Sequence, residues 1–315
     1  MTKPVKVILN PYSNRWRALE KRLAMELALK QAGIQYDLAI TERPRQGTEL
    51  AAQAVQQGFE LIISAGGDGS INEVVNGILS VAPPGSHQPS LGIIPLGTAN
   101  DLAVNLGLPM ELAQSALQIA RGKTRFMDLG KITFFEDPQA KTPTSIQYFG
   151  NNSAIGLEPT VTLIQQRITN IHGTPRYVIA ALAGIMQNPQ WKMSLEWYEG
   201  SYSGPVTLVS VGNHRLTGGV FYMTPHANGF DGLLTFVYGA IPTRRQILAI
   251  FPRTMKPDKG SYIEHPNIHE IHTPWLRIVV DHPTPLHADG EIQSTKVLML
   301  EYNIIPGAIP VMMES

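Results

Sequence analysis

At residues 61–79 the chain reads LIISAGGDGSINEVVNGIL. An apolar run passes directly into Gly66-Gly67-Asp68-Gly69, and a helical pattern starts with no spacer. A continuous apolar run suits a strand buried on both faces, and such strands belong to parallel sheets covered by helices. Two more junctions have the same form. ILNPYSNR (8–15) and IIPLGTANDLA (93–103) each place small polar residues after an apolar run.

Strand and helix patterns alternate around these junctions. Strands are expected at 5–9, 34–40, 60–65 and 91–95, and helices at 47–58, 71–79, 99–108 and 110–122. A helix over 15–33 puts Trp16, Leu19, Leu23 and Leu27 on one face and stops at Gly33. Alternation of this kind implies an α/β domain with a mostly parallel sheet. After about residue 125 short alternating segments take over, at 145–152, 192–200, 205–212, 232–240, 275–281 and 295–303. They imply an antiparallel β domain, interrupted by helical inserts at about 158–187 and 243–255. The expected domains are therefore 1–127 and 128–302.

In parallel α/β sheets ligands bind beyond the C-terminal strand ends. Gly66, Gly67 and Gly69 let backbone approach a bulky anion there, and Ser70 adds a hydroxyl. Asp68 would repel a bare phosphate, so its place makes sense if it holds a hydrated Mg²⁺ that bridges to phosphates. The first junction supplies Asn10, Ser13 and Asn14, with Arg15 opening a helix; the third supplies Gly97 and Thr98, with Asn100 and Asp101 at a helix start. Each loop alone reads equally as a turn or an N-cap. All three in order, each after a strand, favour a phosphate site on one sheet edge.

Lys+Arg and Asp+Glu both number 25, which argues against a broad nucleic-acid footprint. The absence of Cys excludes disulfides and thiolate metal sites. The start does not read as a signal peptide, and the apolar run at 177–186 is too short to span a bilayer. A soluble, cytoplasmic chain with at most peripheral membrane contact is expected. His265, His269, His272, His282 and His287 lack metal-site spacing. Arg43 and Arg45 suit phosphate or a solvated loop. Arg244 and Arg245 with ILAIF (247–251) suit an anionic membrane or an ordinary packed helix.

The segments NPYSN, GGDGSINEVVNG and PLGTANDLA resemble the ordered motifs of the diacylglycerol kinase catalytic domain family, which includes bacterial soluble diacylglycerol kinases, YegS-type lipid kinases and sphingosine kinases. FMDLG (126–130), FGNNSAIGLEPTV (149–161), FDGLLTF (230–236) and HADGE (287–291) follow in the family's order. The resemblance implies an N-terminal α/β domain like that of NAD kinases and phosphofructokinases, and a C-terminal antiparallel β-sandwich. It also implies an active site in the cleft between them and a chain end, GAIPVMM (307–313), that packs back on the first domain. The implied activity is transfer of phosphate from ATP, with Mg²⁺, to a lipid such as diacylglycerol at the inner membrane face.

Residue by residue, the resemblance marks Asn10, Pro11, Ser13, Asn14, Arg15, Thr41, Gly66, Gly67, Asp68, Gly69, Ser70, Asn72, Gly97, Thr98, Asn100 and Asp101 as nucleotide-binding. Asp68, Asp101 and Asp128 match acidic positions that organise Mg²⁺–ATP. Asp231, with the carbonyls of Asn228 and Leu233, matches a structural Mg²⁺ site. Asp289 and Glu291 stand where the family's proposed base lies, Glu291 first. By residues alone, HADGE and GFDG read as turns. Ser70 stands for the more usual Thr, and Asn14 where Gly is common; Asn tolerates left-handed backbone. An NAD kinase, sharing Gly-Gly-Asp-Gly, and a catalytically silent nucleotide- or lipid-binding regulator are the competing readings. Oligomeric state is open, a dimer included.

Overall fold

The structure, a computed structural model, describes residues 4–14, 16–168, 170–171, 174–187 and 190–314. The chain divides into two units, Met1–Asp128 with Gly307–Ser315, and Leu129–Pro306.

The first unit runs β1 (Val5–Leu9), α1 (Arg17–Glu20), α2 (Arg22–Gln31), β2 (Asp37–Ile40), α3 (Gln46–Gln56), β3 (Leu61–Gly66), α4 (Asp68–Val81), β4 (Ser90–Pro95), α5 (Asp101–Asn105) and α6 (Leu112–Ala120). Its strands lie in the order β2-β1-β3-β4, all parallel. Val7, Leu9, Ile62, Ile63, Ala65 and Leu91 are wholly buried, as strands covered on both faces require. Met25 and Leu29 of α2 and Ile119 of α6 pack with Val7, Ile63 and Ile94 in one apolar cluster.

Trp16, Leu19, Leu23 and Leu27 do share a face, but it points to solvent: they are 54, 43, 77 and 55% exposed. Ala18, Met25, Ala28 and Leu29 face the sheet instead. The segment is apolar on two opposite sides, and periodicity cannot choose between them. The side with two alanines allows the closer approach to the sheet. The helix also starts later than its pattern suggests, because Trp16 adopts left-handed backbone with φ 70°.

The second unit continues with β5 (Thr124–Phe135), which starts in the first unit, then β6 (Ser145–Phe149), β7 (Asn152–Gly156), α7 (Leu157–Arg167), α8 (Thr174–Gln187), β8 (Trp191–Trp197), β9 (Gly200–Val206), β10 (Leu208–Gly212), β11 (Leu216–Thr217), β12 (Phe221–Tyr222), β13 (Leu234–Gly239), α9 (Arg244–Ile250), β14 (Ile268–Thr273), β15 (Trp275–Ala288) and β16 (Glu291–Met312). The order β14-β13-β10-β7-β15-β16 is antiparallel throughout. β15 pairs with β8 through Leu276–Val280 and with β7 through Leu286–Ala288. Its register with β16 slips between Val279 and Thr284, beside Pro283 and Pro285. One strand thus bends from one layer of a β-sandwich into the other. Phe149, Phe236, Tyr302, Leu276, Ile278 and Leu286 fill the core between.

The last turn of chain belongs to the first unit. Val311 pairs in parallel with Leu91, and Ala308, Ile309 and Val311 are wholly buried. Gly307 N–H donates to Asp128 Oδ1 at 2.7 Å, and Met313 N–H to Lys123 O at 3.1 Å. No helix among the described residues is long and apolar enough to cross a membrane.

Candidate active site

Because β1, β3 and β4 are adjacent and parallel, their following loops leave the same edge of the sheet. The backbone ladder runs on past the strand ends and fixes the start of each loop. Thr41 N–H donates to Leu9 O (2.9 Å), Asn10 N–H to Ala65 O (3.0 Å) and Leu96 N–H to Gly66 O (2.8 Å). The loops then bond to one another. Asn10 Nδ2 donates to Ser70 Oγ at 2.9 Å, the Ser13 and Ser70 hydroxyls lie 3.2 Å apart, and Gly67 N–H points at Ser13 Oγ at 3.3 Å. Thr98 Oγ1 donates to Asn14 Oδ1 at 3.2 Å.

Gly67 and Gly97 show why glycine is needed. A Cβ on Gly97 would lie 2.4 Å from Gly67 Cα, so the two loops touch backbone to backbone. Any side chain at Gly97 would push them apart. Asn100, at φ 53°, shapes the third loop by accepting from Gly97 N–H (2.7 Å) and donating to Gly97 O (3.2 Å). Asn14 is left-handed too, at φ 50°, a conformation Asn tolerates. No side chain caps α4, whose N-terminus opens at this rim. The first-turn N–H groups and helix dipole of a 14-residue helix suit an anion there.

Asp68 has a role that its position in the motif does not reveal. Its Oδ1 accepts the Leu102 N–H at 3.0 Å, and the Asp101 and Asn100 N–H groups also bond it. The carboxylate thereby ties the second loop to the start of α5 in the third. Burial pushes its pKa above the ordinary carboxylate value, against these hydrogen bonds, which pull it down. Asp101, the first residue of α5, is 6% exposed. Carboxylate, hydroxyl and amide oxygens are the hard donors Mg²⁺ takes, so the residues at this rim fit that ion.

The structure thus gathers Asn10, Pro11, Ser13, Asn14, Gly66, Gly67, Asp68, Gly69, Ser70, Gly97, Thr98, Asn100 and Asp101 along one rim. Thr41 is buried at the end of the neighbouring strand. Asn72 lies one turn into α4, where its Oδ1 accepts from Asn76 Nδ2 at 3.2 Å. Arg15 lies outside the described residues. Asp128 is engaged by Gly307.

Glu73, inside GGDGSINEVVNG, has a role that the motif does not reveal. Its two carboxylate oxygens accept the Arg45 and Gly47 N–H groups at 3.0 and 2.9 Å, capping α3 from α4. Burial raises its pKa. Glu73 and Gly77 lie one helical turn apart on α4, facing α3, and that spacing was the available signal. Arg43 pairs with Glu49 at 2.5 Å.

In the second unit HADGE is a hairpin between β15 and β16. Asp289 and Gly290 have φ 46° and 80°, as a two-residue primed turn demands. Asp289 is also a clasp. Its carboxylate accepts the N–H groups of Gly150, Asn151 and Asn152 at 2.9, 2.9 and 3.0 Å. Two residues on, Glu291 is exposed at the head of β16. Below the clasp, Glu158 Oε1 accepts from Asn152 Nδ2 (2.9 Å) and lies 3.2 Å from His287 Nε2. Asp231 and Asn228 are exposed, and Asp231 Oδ1 accepts the Leu233 N–H at 2.9 Å in a local turn. The other histidines go to separate partners: His269 lies against Tyr238, His272 bonds Thr235 and His282 stacks on Trp191. In α9, Ile247 and Ile250 are buried, so this helix packs on its own unit.

Comparison with known proteins matches this architecture. A family model described as "Diacylglycerol kinase catalytic domain" covers residues 4–132, and one described as "YegS C-terminal NAD kinase beta sandwich-like domain" covers 152–313. The chain is 27% identical over 268 residues to the "Probable lipid kinase YegS-like" of Chromohalobacter salexigens, spanning 84% of this chain and 79% of that one. It is 27% identical over 294 residues to the "Diacylglycerol kinase" of Staphylococcus saprophyticus, spanning 92 and 90%. A crystal structure of a diacylglycerol kinase from Bacillus anthracis superposes with a TM-score of 0.70 at 20% identity, over 99% of this chain and 97% of that one. With the two family models covering its two units in order, the chain belongs to the lipid kinase family that joins a diacylglycerol kinase catalytic domain to a YegS-type β-sandwich.

Proposed function

We propose that this protein transfers the γ-phosphoryl group of Mg²⁺–ATP to the hydroxyl of a lipid, with diacylglycerol as the leading acceptor. The observation that carries the proposal is the meeting of three strand-end loops, with Gly67 against Gly97 and Ser13 beside Ser70. Backbone amides of the Gly-rich loop and the α4 N-terminus hold the phosphates. Ser13, Ser70 and Thr98 offer hydroxyls to phosphate oxygens. Asp68 and Asp101 would hold Mg²⁺ through the carboxylate lone pairs their backbone hydrogen bonds leave free, and the ion would supply charge neutralisation at the phosphates. Glu291 takes the acceptor proton as the new O–P bond forms and the bond to ADP breaks. Asp289 positions that hairpin rather than acting as the base, since its carboxylate already accepts from Gly150, Asn151 and Asn152. Asp231, with the Asn228 and Leu233 carbonyls, would hold a second Mg²⁺ in a structural role. The protein works peripherally at the inner membrane face.

The test is incubation with γ-labelled ATP and Mg²⁺ against a panel of hydroxylated lipids, with NAD as a further acceptor. Label in the organic extract is the expected result. Label on NAD, or binding without transfer, overturns the proposal. Glu291→Gln should lower turnover about 100-fold with an unchanged melting temperature. Asp289→Asn should cost about 2 kcal/mol of stability, because one amide oxygen cannot serve three donors. Near-wild-type turnover in Glu291→Gln would remove it as the base.

A further inference from the structure

We infer that the outer face of α1 and α2 is a docking surface for an anionic lipid bilayer. Its apolar part is the stripe of Trp16, Leu19, Leu23 and Leu27, none of which reaches the core. Single exposed leucines need no explanation, but a contiguous row of large apolar side chains on a surface helix marks an interaction site. The stripe continues beside Leu23 and Leu27 into a shallow groove bordered by Ile34 and Tyr36.

Charge selects the occupant. The chain as a whole is neutral, with 25 basic and 25 acidic residues. These two helices carry Arg17, Lys21, Arg22 and Lys30 against Glu20 and Glu26. Arg22 pairs with Glu26 at 2.7 Å, which leaves Arg17, Lys21 and Lys30 to dominate the exposed surface. A second copy of the chain would bring the same positive excess to this face and be repelled. An anionic leaflet neutralises it while its acyl boundary takes the Trp and Leu side chains, as with helices that lie in the membrane plane. The stripe is also coupled to the phosphate rim. The Trp16 ring meets Tyr12 edge-on at 4.3 Å, and Tyr12 Oη donates to Glu42 O at 2.8 Å. Tyr12 sits in the loop that carries Asn10, Ser13 and Asn14. Seating α1 on a bilayer therefore also holds this loop.

The purpose of such docking rests on the lipid kinase reading, but its test does not. Co-sedimentation of the full chain without ATP is measured on vesicles of phosphatidylcholine alone and of phosphatidylcholine with phosphatidylglycerol. The wild type should partition to the anionic vesicles and be released by salt. Leu23→Glu with Leu27→Glu should lower partitioning about tenfold or more, and Arg17→Glu with Lys21→Glu should lower it and flatten the salt dependence. Both pairs are exposed, so circular dichroism melts should match the wild type. Phosphoryl transfer to a dispersed short-chain diacylglycerol should survive the leucine pair. Wild-type sedimentation by the leucine variant, or indifference of the wild type to anionic vesicles, overturns the docking. So does light scattering that shows a wild-type dimer made monomeric by the leucine pair, which would assign the face to a second copy. Failure of transfer in the wild type would count against the kinase reading alone.

Discussion

Asp68 and His214 show how burial sets chemistry at single residues. Asp68 bonds to the N–H groups of Leu102, Asp101 and Asn100, yet desolvation outweighs them and its pKa rises. A carboxyl raised on folding stabilises most at low pH, and that contribution is lost as pH climbs from the unfolded value of about 3.9 through the folded one. Asp68→Asn keeps an oxygen for Leu102 and removes the cost of ionisation. Its stability relative to wild type should therefore improve between acid and neutral pH, while the proposed phosphoryl transfer would be lost; chemical denaturation at both pH values checks the first outcome. His214 runs the other way. It is buried, its Nε2 has no partner among the described residues, and burial lowers its pKa to about 4. The unfolded chain binds that proton first, so stability should fall as pH drops from about 6.5 towards 4, by up to about 3 kcal/mol. His214→Gln should remove this slope in acid-range melting curves.

Among the elements, α3 and α4 depend on one close approach. A Cβ on Gly77 would lie 2.3 Å from the Thr48 carbonyl oxygen and 2.7 Å from Ala51 Cβ. Helix propensity alone predicts that Gly77→Ala stabilises α4 by about 1 kcal/mol. The contact is with backbone, which cannot swing aside, so overpacking of about 1–3 kcal/mol outweighs it. Gly77→Ala should therefore lower the urea midpoint, and a raised midpoint would refute the packing account. Glu73, one turn earlier, caps α3, so the motif that starts as a Gly-rich loop ends as a helix clamp. This is why NEVVNG belongs with GGDG in one stretch of chain.

At the scale of the whole molecule, the chain's last residues complete the first unit. Val311 pairs with Leu91 at the side of β4 away from β3, and Asp128 holds the Gly307 N–H where the chain returns. Ending the chain before Gly307 removes the buried Ala308, Ile309 and Val311 and leaves a β4 edge unpaired. Amide exchange in Leu91–Ile94 should then quicken at least about tenfold, with little change in β8 or β13. Unaltered protection of β4 would show that this returning segment is dispensable to the first unit.

Read without coordinates, the chain shows its strand–helix alternation, the change to antiparallel strands and the order of its Gly-rich junctions. These are legible because they depend on local period and on glycine, which act within a few residues. The structure alone decides which apolar side of α2 is inward, since Leu23 and Met25 are equally apolar and only contact with the sheet separates them. It decides that Asp68 braces α5 and that Asp289 clasps Gly150–Asn152, because a carboxylate's partners are chosen by distant backbone. It also makes one continuous β15 of what looks like a short strand followed by prolines, since its partners β8 and β7 are more than 75 residues away in sequence. Local pattern writes the elements; donors and packing surfaces brought together from far along the chain assign their work.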